Sequence, residues 1–268
     1  MPTNVRRWGA ALCALVVFGV GGVQAQSSLG TAESFAILAG SAVTNTGASV
    51  ITGDLGVHPG AAVTGFPPGL VTGTIHAANA TALQAKTDLT TQYNALGAAA
   101  CTSNLTGQNL GGRTLTPGVY CFNSSAQLTG TLTLNAQGNP NATFIFKTGS
   151  SLTTASGSSV LMTNAGNPCG VAWQIGSSAT LGTTTSFIGN LIALTSITLN
   201  TDANIIGRAL ARNGAVTLDS NNVSFASCAA PPPIPTLAQW MLIGLAGALL
   251  IAGSVALRGR RATVGAEA

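Results

Sequence analysis

The sequence predicts a mostly β fold of the β-solenoid type, in which short strands stack coil upon coil. Three Thr-Leu pairs, Thr180-Leu181, Thr198-Leu199 and Thr217-Leu218, follow one another at steps of 18 and 19 residues. An earlier segment, residues 144–160, fits the same frame with Leu152 in the position of the repeated leucines. A period just under 20 residues, with β-branched residues and glycine corners, is typical of a solenoid coil. No single coil can bury its apolar side alone, so the coils are expected to stack.

Composition limits the kinds of partner that this chain can bind. Charged residues make up 6% of the 268 residues and 34 residues are glycine, so solubility depends on Thr, Ser and Asn side chains. Between residues 26 and 233, five Lys and Arg residues balance five Asp and Glu residues, which leaves the net charge of +4 in the two tails. Nucleic-acid-binding proteins carry a basic patch that neutralises phosphates. Nucleic acid is therefore not an expected partner.

Residues 1–25 have the pattern of a secretory signal peptide. Arg6 and Arg7 form a basic start, an uncharged apolar stretch follows, and the small residues Val23 and Ala25 predict cleavage after residue 25. An uncleaved anchor is the alternative. The sequence thus predicts an exported protein whose folded domain covers residues 26–230.

Within this domain, the first part alternates short apolar runs with turns. Residues 29–60 contain strand-length apolar pieces separated by Gly and Asn, and the segment 65–69 (GFPPG) predicts a turn because proline cannot continue a ladder. From residue 75 the apolar positions step by three and four, which predicts one long helix over about 75–97. Its predicted buried face consists of Ile75, Ala78, Ala82, Ala85, Leu89, Tyr93 and Leu96. Residues 101–140 then predict a cap and the first regular coil.

Four cysteines remain after removal of the signal peptide, and an even number in an exported protein indicates two disulfides. Three pairings are possible. Cys101–Cys121 and Cys169–Cys228 are the expected pairs, because the first closes a loop beside the helix and the second ties down the last coil. No metal site or other cofactor is expected, because there is no CxxC motif and the only histidines are His58 and His76. Each histidine is assigned a structural role.

The C-terminal part reads as a membrane-directed segment. Residues 231–236 form a proline-rich linker, and residues 237–257 are uncharged and long enough to span a bilayer. Arg258, Arg260 and Arg261 follow and favour the cytoplasmic side. The sequence thus predicts a transmembrane segment with its Arg cluster over 237–261 and a short tail at 262–268; a buried core helix is the alternative.

The folded domain resembles the ice-binding-like family of bacteria and fungi. The matching segments cover nearly all of it in the family's order: ESFAILAGSAVTNTG (33–47), GDLGVHPG (53–60), GFPPG (65–69), LTPGVYCF (115–122), ATFIFKTGSSL (142–152) and VAWQIGSSATLGTTTSFIGNLIALTSITL through GRALARNGAVTLD (171–219). The resemblance implies an irregular, triangular β-helix with one long helix packed alongside and a cap near one end. It also implies ice binding by one flat face that bears short polar motifs beginning with Thr.

The tail resembles the IPTL-type C-terminal sorting signal of Gram-negative exported proteins. The matching features are IPTLAQW (234–240), the apolar span and the closing Arg cluster. The resemblance implies recognition by an exosortase-like membrane enzyme at Ile234, Pro235, Thr236 and Leu237, followed by display at the cell surface or outer envelope, or by release.

The candidate ice-binding residues lie in the polar tracts that follow the aligned leucines. The alignment places Thr154, Thr183, Thr201 and Ser220 in one column up the stack. The predicted face comprises Thr154, Ser156, Thr183, Thr185, Thr201, Asn204, Ser220 and Asn222. Stiff threonine side chains repeated at the coil spacing suit an ordered water lattice. The alternative is that these residues only form side-chain ladders and turns in an uncharged solenoid.

The function predicted from these observations is ice binding by an exported, non-enzymatic protein. The carboxylates are scattered and not paired as in glycan-cleaving enzymes, and neither histidine lies in a nucleophile motif. The alternative, from another class of function, is a surface adhesin or matrix protein that binds glycan or cells without ice activity. Exposed aromatic side chains would favour that alternative.

Overall fold

The computed structural model describes residues 29–225, which form a parallel β-solenoid with one flanking helix. In chain order the first strands are β1 (Phe35–Ala39), β2 (Ala42–Thr46), β3 (Val50–Thr52), β4 (Asp54–Val57), β5 (Ala62–Thr64), β6 (Leu70–Val71) and β7 (Ile75–Ala77), before helix α1 (Ala80–Ala98). After the helix come β8 (Ser103–Asn104), β9 (Thr114–Leu115), β10 (Gly118–Phe122), β11 (Ala126–Leu128), β12 (Thr131–Asn135), β13 (Phe144–Thr148), β14 (Leu152–Thr154) and β15 (Ser159–Thr163). The last strands are β16 (Val171–Ile175), β17 (Ala179–Leu181), β18 (Ser186–Ala193), β19 (Ile197–Leu199), β20 (Asn204–Ala211), β21 (Val216–Asp219) and β22 (Asn222–Ser224). Short 3₁₀ turns occupy Gly30–Ser34 and Pro168–Gly170.

Each coil contributes a strand to three parallel ladders, which form three faces. The face that we call the threonine face has the order β11-β14-β17-β19-β21-β2-β5. The mixed face has β9, β12, β15, the first halves of β18 and β20, then β22, β3 and β6. The helix-covered face has β8, β10, β13, β16, the second halves of β18 and β20, then β1, β4 and β7. The prediction of a mostly β solenoid with a helix alongside is confirmed.

The coils do not stack in chain order. Strand β1 pairs with β20 through Ile37 opposite Ala209, and β3 pairs with β22, so the N-terminal coils continue the stack beyond the C-terminal coil. The chain then returns to the opposite end of the stack to begin β8. Helix α1 makes this return: its 19 residues extend about 28 Å, the height of about six coils.

The helix begins later than predicted. Residues 75–77 form β7, which pairs with β4, and Ala78 has a positive φ of 51°, so neither belongs to the helix. Asn79 caps the helix, because its side chain accepts a hydrogen bond from the backbone N–H of Ala82 at 2.9 Å. Ile75 is consequently 43% exposed, although it was predicted on the buried face. The other predicted apolar positions from residue 82 onward are buried.

Two apolar layers hold the solenoid. The interior contains a stack of aromatic rings, in which Phe146 and Trp173 have ring centroids 3.9 Å apart and Trp173 is also in contact with Phe187. The second layer lies between the helix and the helix-covered face, where Leu89 and Tyr93 pack among Phe35, Leu38 and Leu210. The helix thus covers the apolar residues at the middle of this face, while strands at its ends, such as β7 with Ile75, stay exposed.

Two coils require glycine at the corner between the mixed and helix-covered faces. Gly189 and Gly207 pair within β18 and β20, with φ values of 111° and 145°. A Cβ atom on Gly207 would lie 2.0 Å from the carbonyl oxygen of Gly189. A side chain is therefore excluded at this bend.

Cys101 and Cys121 form the predicted disulfide, with Cα atoms 5.9 Å apart. It joins the end of helix α1 to β10. Cys169 is also disulfide-bonded; its predicted partner, Cys228, lies outside the described residues, so that pairing stays a prediction.

The predicted signal peptide, proline-rich linker, transmembrane segment and sorting signal also lie outside residues 29–225. Within these residues, no helix is both long and apolar enough to cross a membrane.

Candidate functional site

The threonine face carries an unbroken column of threonine side chains along its centre. Direct pairing partners on seven successive strands place the outward residues in line. In spatial order they are Gln127, Thr153, Thr180, Thr198, Thr217, Thr44 and Thr64. Six of the seven are threonine, and the rungs repeat every 4.7–4.9 Å or so.

Strand alternation explains why these residues point outward. In β17 and β19 the residues on either side of the threonine are buried, as the pairs Ala179/Leu181 and Ile197/Leu199 show. Successive side chains of a strand point to opposite faces, so the threonine between two core residues faces solvent. Threonine has a stiff χ1 torsion, and neighbouring hydroxyls approach one another, as in the 3.4 Å Oγ1–Oγ1 contact of Thr44 and Thr217.

Two further columns border the central one. On the side of the helix-covered face, the residue before the strand is serine for β11, β14, β17, β19 and β2 and alanine for β21 and β5, and the hydroxyls of Ser125 and Ser151 lie 2.9 Å apart. On the side of the mixed face, each coil turns at a residue with positive φ, and the residue before that turn forms what we call the edge column. Its members are Ser156, Thr183, Thr201, Asp219 and Thr46.

Backbone hydrogen bonds fix the alignment of the edge column. The N–H groups of Gly157, Thr184, Asp202 and Ser220 each donate to the carbonyl of the edge-column residue on the next coil. The side chains are also linked, since Thr183 Oγ1 donates to Ser156 Oγ at 2.8 Å. Three of the predicted site residues, Ser156, Thr183 and Thr201, therefore lie along one border of the threonine face.

Ser220 lies one position away from the predicted column. It has a φ of 56° and is equivalent to Thr184 and Asp202, which have φ values of 55° and 60°. The alignment from sequence missed this because the step from the leucine to the positive-φ residue is two residues in this coil, Leu218 to Ser220, and three in the preceding coil, Leu199 to Asp202. Asp219, and not Ser220, is the neighbour of Thr201 in the edge column.

The placement of Thr154 on the exposed face is wrong. Leu152 pairs with Ala179, so Thr154 is equivalent to Leu181 and points into the solenoid, where it is 3% exposed. The repeat in the sequence treats Leu152 as the equivalent of Leu181, which is two residues out of register with the observed pairing. Burial is possible because the Thr154 hydroxyl accepts a hydrogen bond from the N–H of Gly182 at 2.8 Å.

Thr185 is likewise internal, although it was predicted on the face. It has no exposed surface, and its hydroxyl lies 2.8 Å from that of Thr154. It follows the positive-φ residue of its coil and belongs to an inner corner row with Ser158, Ala203 and Asn221. These polar groups satisfy backbone atoms at the corner, as in the bond from the Asn221 amide to the Ala203 carbonyl at 2.8 Å.

Asn204 and Asn222 are exposed but lie on the mixed face. They share a row with Ser159 and Ser186, as the pairings of β15, β18, β20 and β22 show. The eight predicted residues are therefore divided among the border of the threonine face, the corner turn that holds Ser220, the mixed face and the interior.

The central column is what the sequence-based assignment missed. Thr180, Thr198 and Thr217 had defined the repeat, and the signal was present in them: each immediately precedes a leucine that the repeat places in the core. Period-two alternation assigns the residue beside a buried leucine to the opposite face. Thr44 and Thr64 could not be added from the repeat, because their coils join the stack out of chain order.

The titratable side chains away from the threonine face make contacts typical of a structural role. His76 Nε2 lies 3.8 Å from Asp54 Oδ2, and its ring contacts Phe35. Within the described part of the chain, no group of three His, Cys, Asp or Glu residues could hold a metal ion. Lys86 on the helix donates to the Ala211 carbonyl at 2.6 Å, and burial, with a contribution from Arg212, lowers its pKa to about 7.

Comparison with known proteins identifies the family. The ice-binding-like family model matches residues 37–224. An ice-binding protein of Nostoc sp. (strain HG1) is 55% identical over 233 residues, which are 85% of this chain and 86% of that protein. The crystal structure of an ice-binding protein from an Antarctic biological consortium has a TM-score of 0.72 at 49% identity and covers 74% of this chain and 90% of its own. That of an ice-binding protein from the Antarctic ascomycete Antarctomyces psychrotrophicus has a TM-score of 0.72 at 43% identity, over 74% and 97% of the two chains. This chain belongs to the ice-binding-like family.

Proposed function

We propose that this protein adsorbs to ice through the threonine face. The observation that carries the proposal is the column of six threonines on successive strands, held in register by direct pairing. The relatives at 55% and 35% identity are both ice-binding proteins, which supports the same partner for this chain.

The chemistry of the column suits an ice surface. A threonine methyl group tolerates an ordered cage of water, while its hydroxyl can hydrogen-bond to that cage. The β-branched side chain has few rotamers to lose on adsorption, and the strands beneath it fix its backbone. A rigid array therefore loses little conformational entropy when it meets a crystal.

The other two faces are less suited to a lattice. The middle of the helix-covered face is occupied by α1 and offers no flat array. On the mixed face, the row that contains Ile206 changes from threonine (Thr133) to aliphatic residues and then to Ser224, and its Leu161 and Ile206 are 49% and 45% exposed. An irregular row offers no repeated spacing to a crystal plane.

Glycan adhesion is the less favoured function. Carbohydrate sites commonly stack sugars on aromatic rings, and exposed aromatics were the feature expected of an adhesin. In residues 29–225 the large apolar side chains that are exposed are Leu70, Ile75, Leu83, Leu161 and Ile206, and none of these is aromatic.

The test is ice-affinity partitioning with paired tyrosine substitutions. In Thr180→Tyr/Thr198→Tyr, two bulky rings project from the centre of the threonine face and hold the surface away from ice. We expect this variant to lose retention in ice and inhibition of ice recrystallisation.

The matched control is Ser186→Tyr/Asn204→Tyr, which adds the same rings to the same two coils on the mixed face. Both variants should unfold at the temperature of the unsubstituted protein. Retention by the first variant would exclude the threonine face, and loss in the control alone would assign the site to the mixed face.

Thr183→Tyr/Thr201→Tyr applies the same test to the border of the face. Because these residues lie at the edge column, their rings can tilt toward the corner, and we expect partial loss of adsorption. Full retention would confine the contact to the central column.

We further propose that the protein is exported and acts at the cell surface or outside the cell, consistent with a signal peptide over residues 1–25 and a sorting signal over 237–261. Cell fractionation tests this: deletion of residues 2–25 should trap the protein in the cytoplasm. Replacement of Ile234, Pro235, Thr236 and Leu237 by alanine should block processing while export continues.

A further inference from the structure

Asp219 is a charged residue in the edge column of an otherwise hydroxyl-bearing border. Ser156, Thr183, Thr201 and Thr46 hold the equivalent positions on the other coils. The central column and the other edge-column positions that the structure describes are uncharged. A carboxylate thus interrupts the border one coil after Thr201.

The contacts of Asp219 extend the interruption to its neighbour. Thr201 Oγ1 donates to Asp219 Oδ2 at 2.5 Å, so the proton of that hydroxyl is directed at the carboxylate and away from the surface. Ser220 Oγ lies 3.4 Å from Asp219 Oδ1. Two consecutive positions of the edge column therefore cannot present free hydroxyl donors.

A carboxylate beside ice is energetically unfavourable. Ionised groups hold their own hydration shell, and removing or reordering that shell costs free energy unless a charged partner replaces it. Within residues 29–225 the groups that contact the Asp219 carboxylate are the hydroxyls of Thr201 and Ser220, and an ice lattice contains no counter-ion. The charge therefore opposes closure of this part of the face onto a crystal.

We propose that Asp219 sets the strength of ice adsorption by limiting the threonine face at its border. This inference rests on the proposed function and deepens it. Asp219→Thr replaces the carboxylate by a hydroxyl, which can accept from Thr201 as Ser156 accepts from Thr183. Asp219→Asn removes the charge and keeps the size and an acceptor for Thr201.

The measurement is the partition ratio of the protein between ice and liquid at limiting concentration. We expect Asp219→Thr and Asp219→Asn each to raise this ratio by about threefold to tenfold, the threonine variant by at least as much as the asparagine variant. Thermal unfolding of each variant checks that the fold is retained.

Asp202→Asn is the matched control. Asp202 is exposed, has a φ of 60° that asparagine tolerates, and lies at the same corner on the neighbouring coil but outside the edge column. It changes the net charge equally, so we expect its partition ratio to stay at the unsubstituted value. An equal rise in Asp202→Asn would overturn the assignment to Asp219, because net charge alone would then account for it.

The outcomes separate this inference from the proposed function. If the unsubstituted protein is not retained in ice and neither Asp219 variant is, both fail. If the unsubstituted protein is retained and neither Asp219 variant exceeds it, the inference alone is wrong.

Discussion

The threonine face and the mixed face are built from the same coils, yet only one of them repeats on its outer side. Both have short parallel strands whose inward residues are apolar and buried, such as Leu199 and Ile205. On the threonine face the outward position is threonine on six successive strands. On the mixed face the row through Leu161, Ile188 and Ile206 continues into Ser224 and Thr52.

The difference separates the demands of folding from those of function. A solenoid requires that most inward positions be apolar, and both faces meet that requirement, with hydrogen-bonded Thr154 and Asn45 as polar exceptions on the threonine face. Folding requires nothing similar of the outward positions, since polar and apolar residues both occur on the mixed face. A column that is uniform on its outer side therefore indicates a second constraint on this face, which we assign to ice.

The largest expected effect is a difference in the free energy of unfolding between substitutions on the inner and outer sides of strand β17. Leu181 is fully buried, so Leu181→Ala leaves a cavity and should lower the free energy of unfolding by about 2–5 kcal/mol. Thr180→Ala, one residue earlier and facing outward, should change it by no more than about 0.5 kcal/mol. Denaturant unfolding measures both values.

Ice retention should show the opposite order. Folded Leu181→Ala should still be retained, while Thr180→Ala should be retained less. A large loss of stability in Thr180→Ala would show that its side chain is part of the core and would undo the distinction between the two sides.

A second prediction concerns a hydroxyl that does not belong to the surface. Thr154→Val removes the acceptor for the Gly182 N–H and a partner of the Thr185 hydroxyl. Leaving these buried groups unsatisfied should cost about 1–3 kcal/mol of stability. Ice retention per folded molecule should not change, because Thr154 lies inside.

Thr154→Ser keeps the hydroxyl and is the control; it should be closer to the unsubstituted protein in stability. Loss of ice retention by a folded Thr154→Val protein would mean that the interior also determines the outer geometry of the face.

These residues show how far the sequence could predict the site. The spacing of Leu181, Leu199 and Leu218 predicted the coils and the stacking, because one repeated core position is enough to define the period. It could not predict that Leu152 pairs with Ala179, because the longer excursion before residue 171 disconnects the register of the two coils. A slip of two residues keeps Thr154 on the same strand but changes its equivalent from a polar-tract residue to a core leucine.

The sequence repeat also could not predict the order in which the coils stack. Stacking of β1 on β20 joins residues about 170 positions apart, and no local period carries that information. The helix was predicted from its apolar face, but its start was not, because β7 gains backbone pairing with β4 that the helical pattern does not show. The Cys101–Cys121 disulfide could be predicted because the positions of the two residues beside the helix and the first coil were sufficient.

A third prediction contrasts the threonine face with the helix-covered face, where a buried amine lies. The pKa of Lys86 is lowered from 10.5 to about 7, mainly by burial. Between about pH 7 and pH 9.5 the unfolded chain therefore holds a proton that the folded chain has released, so the free energy of unfolding contributed by Lys86 rises with pH. Lys86→Met should flatten that rise.

The comparison of the two pH profiles isolates this residue, since other groups titrate equally in both proteins. Ice retention should not vary across the same range, because the threonine face has no lysine, tyrosine or cysteine. An identical slope in Lys86→Met would show that the amine keeps its charge in the folded protein.

The smallest expected effect asks whether hydroxyl groups alone make an ice-binding face. Leu161→Thr/Ile206→Thr adds two threonines to the central row of the mixed face, at positions exposed enough that stability should change by no more than about 0.5 kcal/mol. Ile188 still separates them. We expect no gain in the ice-liquid partition ratio, because Ile188 would still interrupt the row and its longest run of threonines would be three (Thr114, Thr133 and position 161), against six on the threonine face.

The measurement becomes more sensitive when Leu161→Thr/Ile206→Thr is combined with Thr180→Tyr/Thr198→Tyr. Adsorption through the threonine face is then removed, so a small gain from the mixed face can be detected. Recovery of ice retention there would mean that a run of three threonines on a mixed row is enough for adsorption. Continued absence of retention would support a face that needs the longer unbroken run of the threonine face.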